Sequence, residues 1–368
     1  MSPPRIAYVV ATTAGGTGRH VAMLARGCAD RGMDVSVFGP AATRELFPAT
    51  RFAPVDIGDR PRPGRDAAAV LWLRRLIAHG EPDVVHAHGV RAAAAAALAR
   101  PRRPGRPGPA LLVTVHNAAP PGALSGTVYR ALERLAARRA DAVLCVSADL
   151  AERMRRAGAR DIALAVVPAP PGAAPVAGAV EKARADIAAS GRPVVLAVGR
   201  CVPQKGFDVL VEAMSLLRDR DPAPLLAIAG NGPLAGQLAR QARAVRADVR
   251  FLGPRSDVPA LLAAADVAAV PSRWEGQPFI VQEALRAGRP LVASRVGGTP
   301  ALTGEDGALL VPPGDPGQLA AALRSVLDDP ALSGRLAASA AARAAALPLP
   351  SDAIDAVAAV YSRLRARS

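Results

Sequence analysis

The sequence predicts an α/β chain of two domains, each a parallel sheet covered by helices on both faces. Three observations predict it. Short apolar runs alternate with amphipathic stretches almost throughout, and the alternation stops near residue 170 and restarts near 190. The intervening VVPAPPGAAPVAGAV, residues 166–180, is a proline- and glycine-rich connection. Strands separated by helices imply parallel pairing, because a parallel neighbour needs a crossover long enough to be a helix. At 368 residues the chain can bury two full cores. The expected domains are 1–170 and 171–350, with 351–368 a C-terminal helix.

In the first half RIAYVVAT (5–12), DVSVFG (34–39), PDVVHAH (82–88), ALLVTVH (110–116) and ADAVLCVS (140–147) read as buried strands. The breaker-rich RPRRPGRPGP, 100–109, reads as a basic surface loop. In the second half RPVVLAVG (192–199), APLLAIAG (223–230), ADVRFLG (247–253), ADVAAVPS (265–272) and RPLVAS (289–294) repeat the pattern. A short helix is expected between the last two, with Pro278 in its first turn and Gly288 and Pro290 as its stop. Ile280, Ala284 and Ala287 form its apolar face, with Glu283 beside that face. After LPLP a last helix runs from about Ser351 to Arg365.

Lys plus Arg number 46 against 31 acids, a net charge of +15, which favours anionic partners. All but two of the bases are arginine, so Lys182 and Lys205 stand out. Residues 1–170 carry 24 bases and 13 acids, a net of +11, and the rest 22 and 18, a net of +4. Aromatics are 3%, with no interleaving of basic and aromatic residues, so nucleic acid is not an expected partner. Cys28, Cys145 and Cys201 are scattered and odd in number, which fits a reduced cytosol. No apolar run reaches the length of a membrane span, and IAYVVA is too short for a signal-peptide core. A cytoplasmic protein is expected, with peripheral attachment to the inner face of the membrane left open.

In open parallel sheets ligands bind beyond the carboxyl ends of the strands, and this rule selects the candidates. TTAGGTGRHV, after the first strand, places Gly15, Gly16 and Gly18 before a helix, where backbone amides can meet a phosphate. The spacing is not G-x-G-x-x-G, and the alternative is a tight strand-to-helix turn. VGRCVPQKGF places Arg200 and Lys205 on a loop leading to a helix, either as cations for a diphosphate or as a solvated basic loop. Glu275 and Glu283 have seven residues between them and lie before and inside one helix. They could accept hydrogen bonds from sugar or ribose hydroxyls, or simply be solvated acids favouring the helix dipole. All five histidines, His20, His79, His86, His88 and His116, fall in the first half. His86 and His88 share a strand face and read as a packed or hydrogen-bonded pair, since no cluster completes a metal site. His116 ends its strand at the ligand edge.

Taken together, GRCVPQKGFDVLVEAM, IAGNGPL, the run from VRFLG to RPLVAS, VGGTPAL and GALLVPPGD resemble the retaining glycosyltransferases of family 4, over nearly the entire chain. The resemblance implies the GT-B fold: two Rossmann-like domains facing across a cleft, the C-terminal helix crossing back to the first. It implies that Glu275 contacts donor-sugar hydroxyls, Glu283 the ribose, and Arg200 and Lys205 the donor diphosphate. Gly15 and Gly16 would approach that diphosphate, His116 would lie near the reacting sugar, and Gly276, Gln277, Phe279 and Ile280 would line the sugar and phosphate subsite. Two positions depart from the family: Ala301, where an acid often follows the proline of GG-x-P, and Ala169–Pro170, where asparagine and glycine often stand.

The implied activity is metal-independent, hexosyl-type transfer from a nucleoside-diphosphate sugar to an unidentified acceptor, lipid-linked or of the cell envelope. The donor is a substrate, no cofactor or metal is expected, and no covalent nucleophile is nominated. An anionic membrane surface is a candidate partner, because Arg130, Arg134 and Arg138 recur at helical spacing, with Glu133 expected to interrupt the patch. The alternatives are a sugar-nucleotide epimerase or phosphorylase on the same fold, or a nonenzymatic envelope-assembly protein.

Overall fold

The computed structural model describes residues 3–11, 15–48, 50–58, 61–101, 108–117, 123–170, 172, 174–187 and 189–367. The chain forms two compact units: Met1–Pro168 with Pro348–Ser368, and Ala169–Leu347.

The first unit holds a seven-stranded sheet of β1 (Arg5–Val10), β2 (Asp34–Gly39), β3 (Arg51–Pro54), β4 (Val84–His88), β5 (Ala110–Val115), β6 (Ala142–Cys145) and β7 (Ile162–Leu164). Its order is β3-β2-β1-β4-β5-β6-β7, with every neighbour parallel. The second unit holds β8 (Val194–Val198), β9 (Leu225–Ala229), β10 (Val249–Gly253), β11 (Val267–Val270), β12 (Leu291–Ser294) and β13 (Leu309–Val311) in the order β10-β9-β8-β11-β12-β13, again all parallel. Both are Rossmann-like sheets.

The ten expected strands are present, and three more, β3, β7 and β13, stand at sheet edges. Each is three or four residues long and mostly half-buried or exposed, so it carries no apolar run to announce it. The central strands are apolar on both sides for a physical reason. Val194 and Leu196 enter one hydrophobic core, while Val195 and Ala197 enter the other.

The order of each sheet reverses direction between its first strand and the one that joins on the other side. This happens between β1 and β4 in the first unit and between β8 and β11 in the second. At such a switch point the loops leave in opposite directions and open a crevice at the carboxyl ends.

The last helix, Pro350–Arg365, starts on a proline, and its Leu349 N–H donates to Asp352 Oδ2 at 2.7 Å. Ile354, Val357, Tyr361 and Leu364 recur along one face and pack in the first unit's core with Ile6, Tyr8, Val21 and Leu24. That burial returns the chain to the first unit. Among the described residues no helix is long and apolar enough to cross a membrane.

Candidate functional site

In the second unit the switch-point loops are built on glycine. Lys205 closes a short turn, Pro203–Lys205, and Gly206 caps the helix Phe207–Ser215 in a left-handed conformation, φ 63°. A Cβ there would lie 2.1 Å from the Pro271 carbonyl oxygen, so only glycine lets the loop after β8 lie on the segment after β11. The contact joins residues 70 apart: Lys205 Nζ donates to Glu275 Oε1 at 2.5 Å. Ser272 Oγ donates to the same oxygen at 2.7 Å, whereas among the described residues Oε2 receives only Gln204 Nε2 at 3.4 Å. Glu275 is thus a buried carboxylate with one oxygen engaged and the other largely available.

The GG-x-P loop supports Glu275 from the far side. Gly297 has φ 53°, and a Cβ on it would lie 2.0 Å from the Glu275 carbonyl oxygen. The next amide, Gly298 N–H, donates to Gly276 O at 2.7 Å. Arg273, a cation lying between candidate positions, forks onto Asp208 at 2.7 and 2.6 Å. Its hydrogen bonds are the main reason the Asp208 carboxyl sits below its usual range. Arg200 differs from Lys205. Its side chain is exposed and makes no hydrogen bond or ion pair with the described residues.

Pro278 stands one residue earlier than expected, at the N-cap of the helix Phe279–Arg286, and supplies no side-chain cap. The first-turn amides of Phe279 and Ile280 therefore lie at a helix N-terminus beside Glu275, although both side chains are buried in the core. Gly276 is buried, and Gln277 is half-buried with an Oε1 that has no partner among the described residues. Glu283 is half-buried within the helix, about a turn from its start. Its neighbour Gln282 is fully buried, and its Oε1 accepts the Ala169 N–H at 2.7 Å. Arg286 Nη1 donates to the carbonyls of Ala169 and Pro170 at 2.9 and 3.2 Å. The departure at Ala169–Pro170 is thus accommodated through main-chain groups, by residues that no sequence signal had selected.

In the first unit, Gly15 (φ 71°) caps the helix Gly16–Asp30 after β1, and Thr12–Ala14 lie outside the described residues. That helix, β4 and the end of β5 bring four histidines together. His86 and His88 lie with ring centroids 4.1 Å apart and planes tilted by 36°, and His88 Nδ1 lies 3.0 Å from His116 Nε2. His20, from the helix, sets its ring edge-on to His116 with centroids 5.7 Å apart. Beneath them runs a fully satisfied chain. His86 Nε2 lies 2.7 Å from Thr114 Oγ1 and His86 Nδ1 2.6 Å from Tyr361 Oη; Tyr361 is 2.8 Å from Tyr8 Oη, and Tyr8 is 3.5 Å from Cys28 Sγ.

Burial pushes the imidazoles down, His20 to about 4 and His116 to about 3, and His86 and His88 well below their usual value. All four are neutral at pH 7. Among the described residues no group of three His, Cys, Asp or Glu could hold a metal ion. The cysteines are free and buried.

Family models match both units: "Glycosyltransferase Family 4" over residues 14–170 and "Glycosyl transferases group 1" over 192–329. The chain is 33% identical over 276 residues to a glycogen synthase of Mycobacterium tuberculosis, covering 71% of this chain and 64% of that protein. It is 35% identical over 179 residues to an alpha-D-kanosaminyltransferase of Streptomyces kanamyceticus, covering 47% of this chain and 46% of that one. The chain thus spans less than two thirds of the length of these curated relatives. Anabaena Alr3699/HepE, solved with UDP-glucose, superposes with a TM-score of 0.79 at 22% identity, covering 98% of this chain and all of that one.

Proposed function

Because the chain belongs to glycosyltransferase family 4, we propose that it transfers a hexosyl group, with retention and without a metal, from a nucleoside-diphosphate sugar to an acceptor. The observation that carries this reading is the buried Lys205–Glu275 pair at the switch point of the second unit. Cleavage at the anomeric carbon leaves negative charge on the diphosphate. Arg200, Lys205 and the first-turn amides of Phe279 and Ile280 stabilise that charge as it forms. An ammonium has three protons, so Lys205 can hold Glu275 with one and donor oxygens with the others. Glu275 offers Oε2 to a sugar hydroxyl, and Glu283 binds the ribose. Gly15 and Gly16 approach the diphosphate, and His116 donates near the reacting sugar. The UDP-glucose complex of the Anabaena protein supports a nucleotide-sugar donor.

Calorimetric titration with UDP and turnover of UDP-glucose, extended to other nucleotides if neither binds, test the division of labour. Glu283→Gln is expected to weaken diphosphate binding about tenfold, the loss of one hydrogen bond to a charged group. Glu275→Gln is expected to lower turnover about 100-fold while leaving diphosphate affinity within a few-fold. Equal diphosphate affinity in the parent and both variants contradicts the split.

The acceptor is proposed to be lipid-linked. On the helix Ala123–Arg139, Arg130, Arg134 and Arg138 are all exposed. Contrary to expectation, Glu133 does not interrupt them. It is buried and accepts a fork from Arg153 at 2.7 and 2.8 Å, because an unpaired carboxylate could not stay inside. Residues 102–107 of the basic loop lie outside the described residues. Each base near an anionic surface contributes roughly 1 kcal/mol, screened by salt. Co-sedimentation is expected with phosphatidylserine vesicles at low salt, and not with phosphatidylcholine vesicles or at high salt. Negligible binding to both at low salt favours a soluble acceptor.

A further inference from the structure

We infer that His88 is a positioning residue: its Nδ1–H donates to Nε2 of His116 and fixes His116 as the tautomer that carries its proton on Nδ1. The inference rests on the reading that His116 meets the reacting sugar, and it adds a residue that the reading does not assign. The two rings stack with centroids 5.3 Å apart and planes 26° from parallel, and the nitrogens are 3.0 Å apart. His88 cannot turn away. Its ring stacks on Tyr8 at 5.6 Å and packs at a tilt against His86 at 4.1 Å, and His86 is held at both nitrogens by Tyr361 and Thr114.

Both partners are buried and neutral, so a single proton lies between Nδ1 of His88 and Nε2 of His116. If His116 supplied it, His88 would carry its own proton on Nε2. That atom is buried and has no hydrogen-bond partner among the described residues. Orphaned N–H groups are rarer in folded interiors than under-used acceptors, so the proton belongs to His88 Nδ1 and its Nε2 is a bare lone pair. The consequence falls on His116. Its Nε2 is occupied as an acceptor, and its Nδ1 carries a proton with no partner among the described residues, on a residue that keeps 7% of its surface exposed. His116 is thereby set as a hydrogen-bond donor to a substrate oxygen. The bond made by one ring nitrogen decides what the other can do.

The test is 15N NMR of the full chain labelled at histidine, with His116 assigned by substitution, together with steady-state turnover. In the parent, His116 is expected to carry its proton on Nδ1. In His88→Phe it is expected to redistribute to Nε2, with kcat lowered about 10- to 100-fold and KM nearly unchanged. In His88→Asn, whose amide N–H can stand where Nδ1–H stood, the Nδ1 tautomer and most of kcat are expected to return. A proton on Nε2 of His116 in the parent overturns the inference, as does a tautomer or kcat that is the same in His88→Phe as in the parent. A parent that turns over no sugar nucleotide refutes the transferase reading instead, and the parent spectrum still decides the tautomer.

Discussion

Lys205→Ala is expected to lower turnover about 100- to 1,000-fold and to lower the melting temperature, whereas Arg200→Ala lowers turnover to a similar degree with no change in melting temperature. The shared loss follows from removing one preorganised cation from the charge that develops on the diphosphate. The divergence follows from the unliganded geometry. Lys205 is 19% exposed and its partner Glu275 6% exposed at the side chain. Removing the ammonium strands a buried carboxylate that keeps, among the described residues, Ser272 at 2.7 Å and a long contact to Gln204 at 3.4 Å. Breaking such a pair from one side typically costs on the order of 3 kcal/mol. Arg200 has no partner to strand among the described residues. Differential scanning calorimetry and donor turnover decide together. Near-parent turnover in both variants removes the diphosphate role, and equal melting temperatures in all three proteins show that the Lys205–Glu275 pair contributes nothing to stability.

Tyr361→Ala is expected to destabilise the first unit by about 3 to 5 kcal/mol, the usual cost of truncating a buried aromatic. Tyr361 is 0% exposed and ties the C-terminal helix to β1 and β4 through Tyr8 at 2.8 Å and His86 at 2.6 Å. Tyr361→Phe separates the hydrogen bonds from the packing. It keeps the ring but leaves His86 Nδ1 and the Tyr8 hydroxyl without the hydrogen bonds that Tyr361 made to them, for an expected loss of about 1 to 3 kcal/mol. Amide exchange over residues 350–365 and denaturant unfolding of both variants provide the measurement. A loss below about 1 kcal/mol in Tyr361→Ala means that the helix is held by its aliphatic face alone, through Ile354, Val357 and Leu364.

What the sequence determined by itself is local. Runs such as VVLAV and LLAIA are apolar at every position because both faces of their strands are buried, and that burial can be read without knowing what covers them. Turn chemistry was equally legible. Pro278 and Gly288 bracket a helix at Phe279–Arg286, and Gly288 adopts φ 59° just after it, as a left-handed stop requires. The rule that ligands gather at the carboxyl ends of parallel strands then selected Arg200, Lys205, Glu275 and His116.

Only the tertiary structure decided which of those ends are neighbours. β8 and β11 are adjacent because of the strand order, so Lys205 meets Glu275 across 70 residues of sequence while Arg200 meets neither. The edge strands β3, β7 and β13 left no periodic trace, since an edge is only partly buried. Glu133 reads as a surface charge until Arg153 is seen beside it. Tyr361 reads as one more apolar position of a helix until His86, 275 residues earlier, takes its hydroxyl. The physical reason is common to all of these. Burial and turn geometry are imposed on a residue by its immediate neighbours and leave a mark in composition and period. The partner of a buried polar group is chosen by how distant strands and helices are packed, and nothing in the local pattern records that choice.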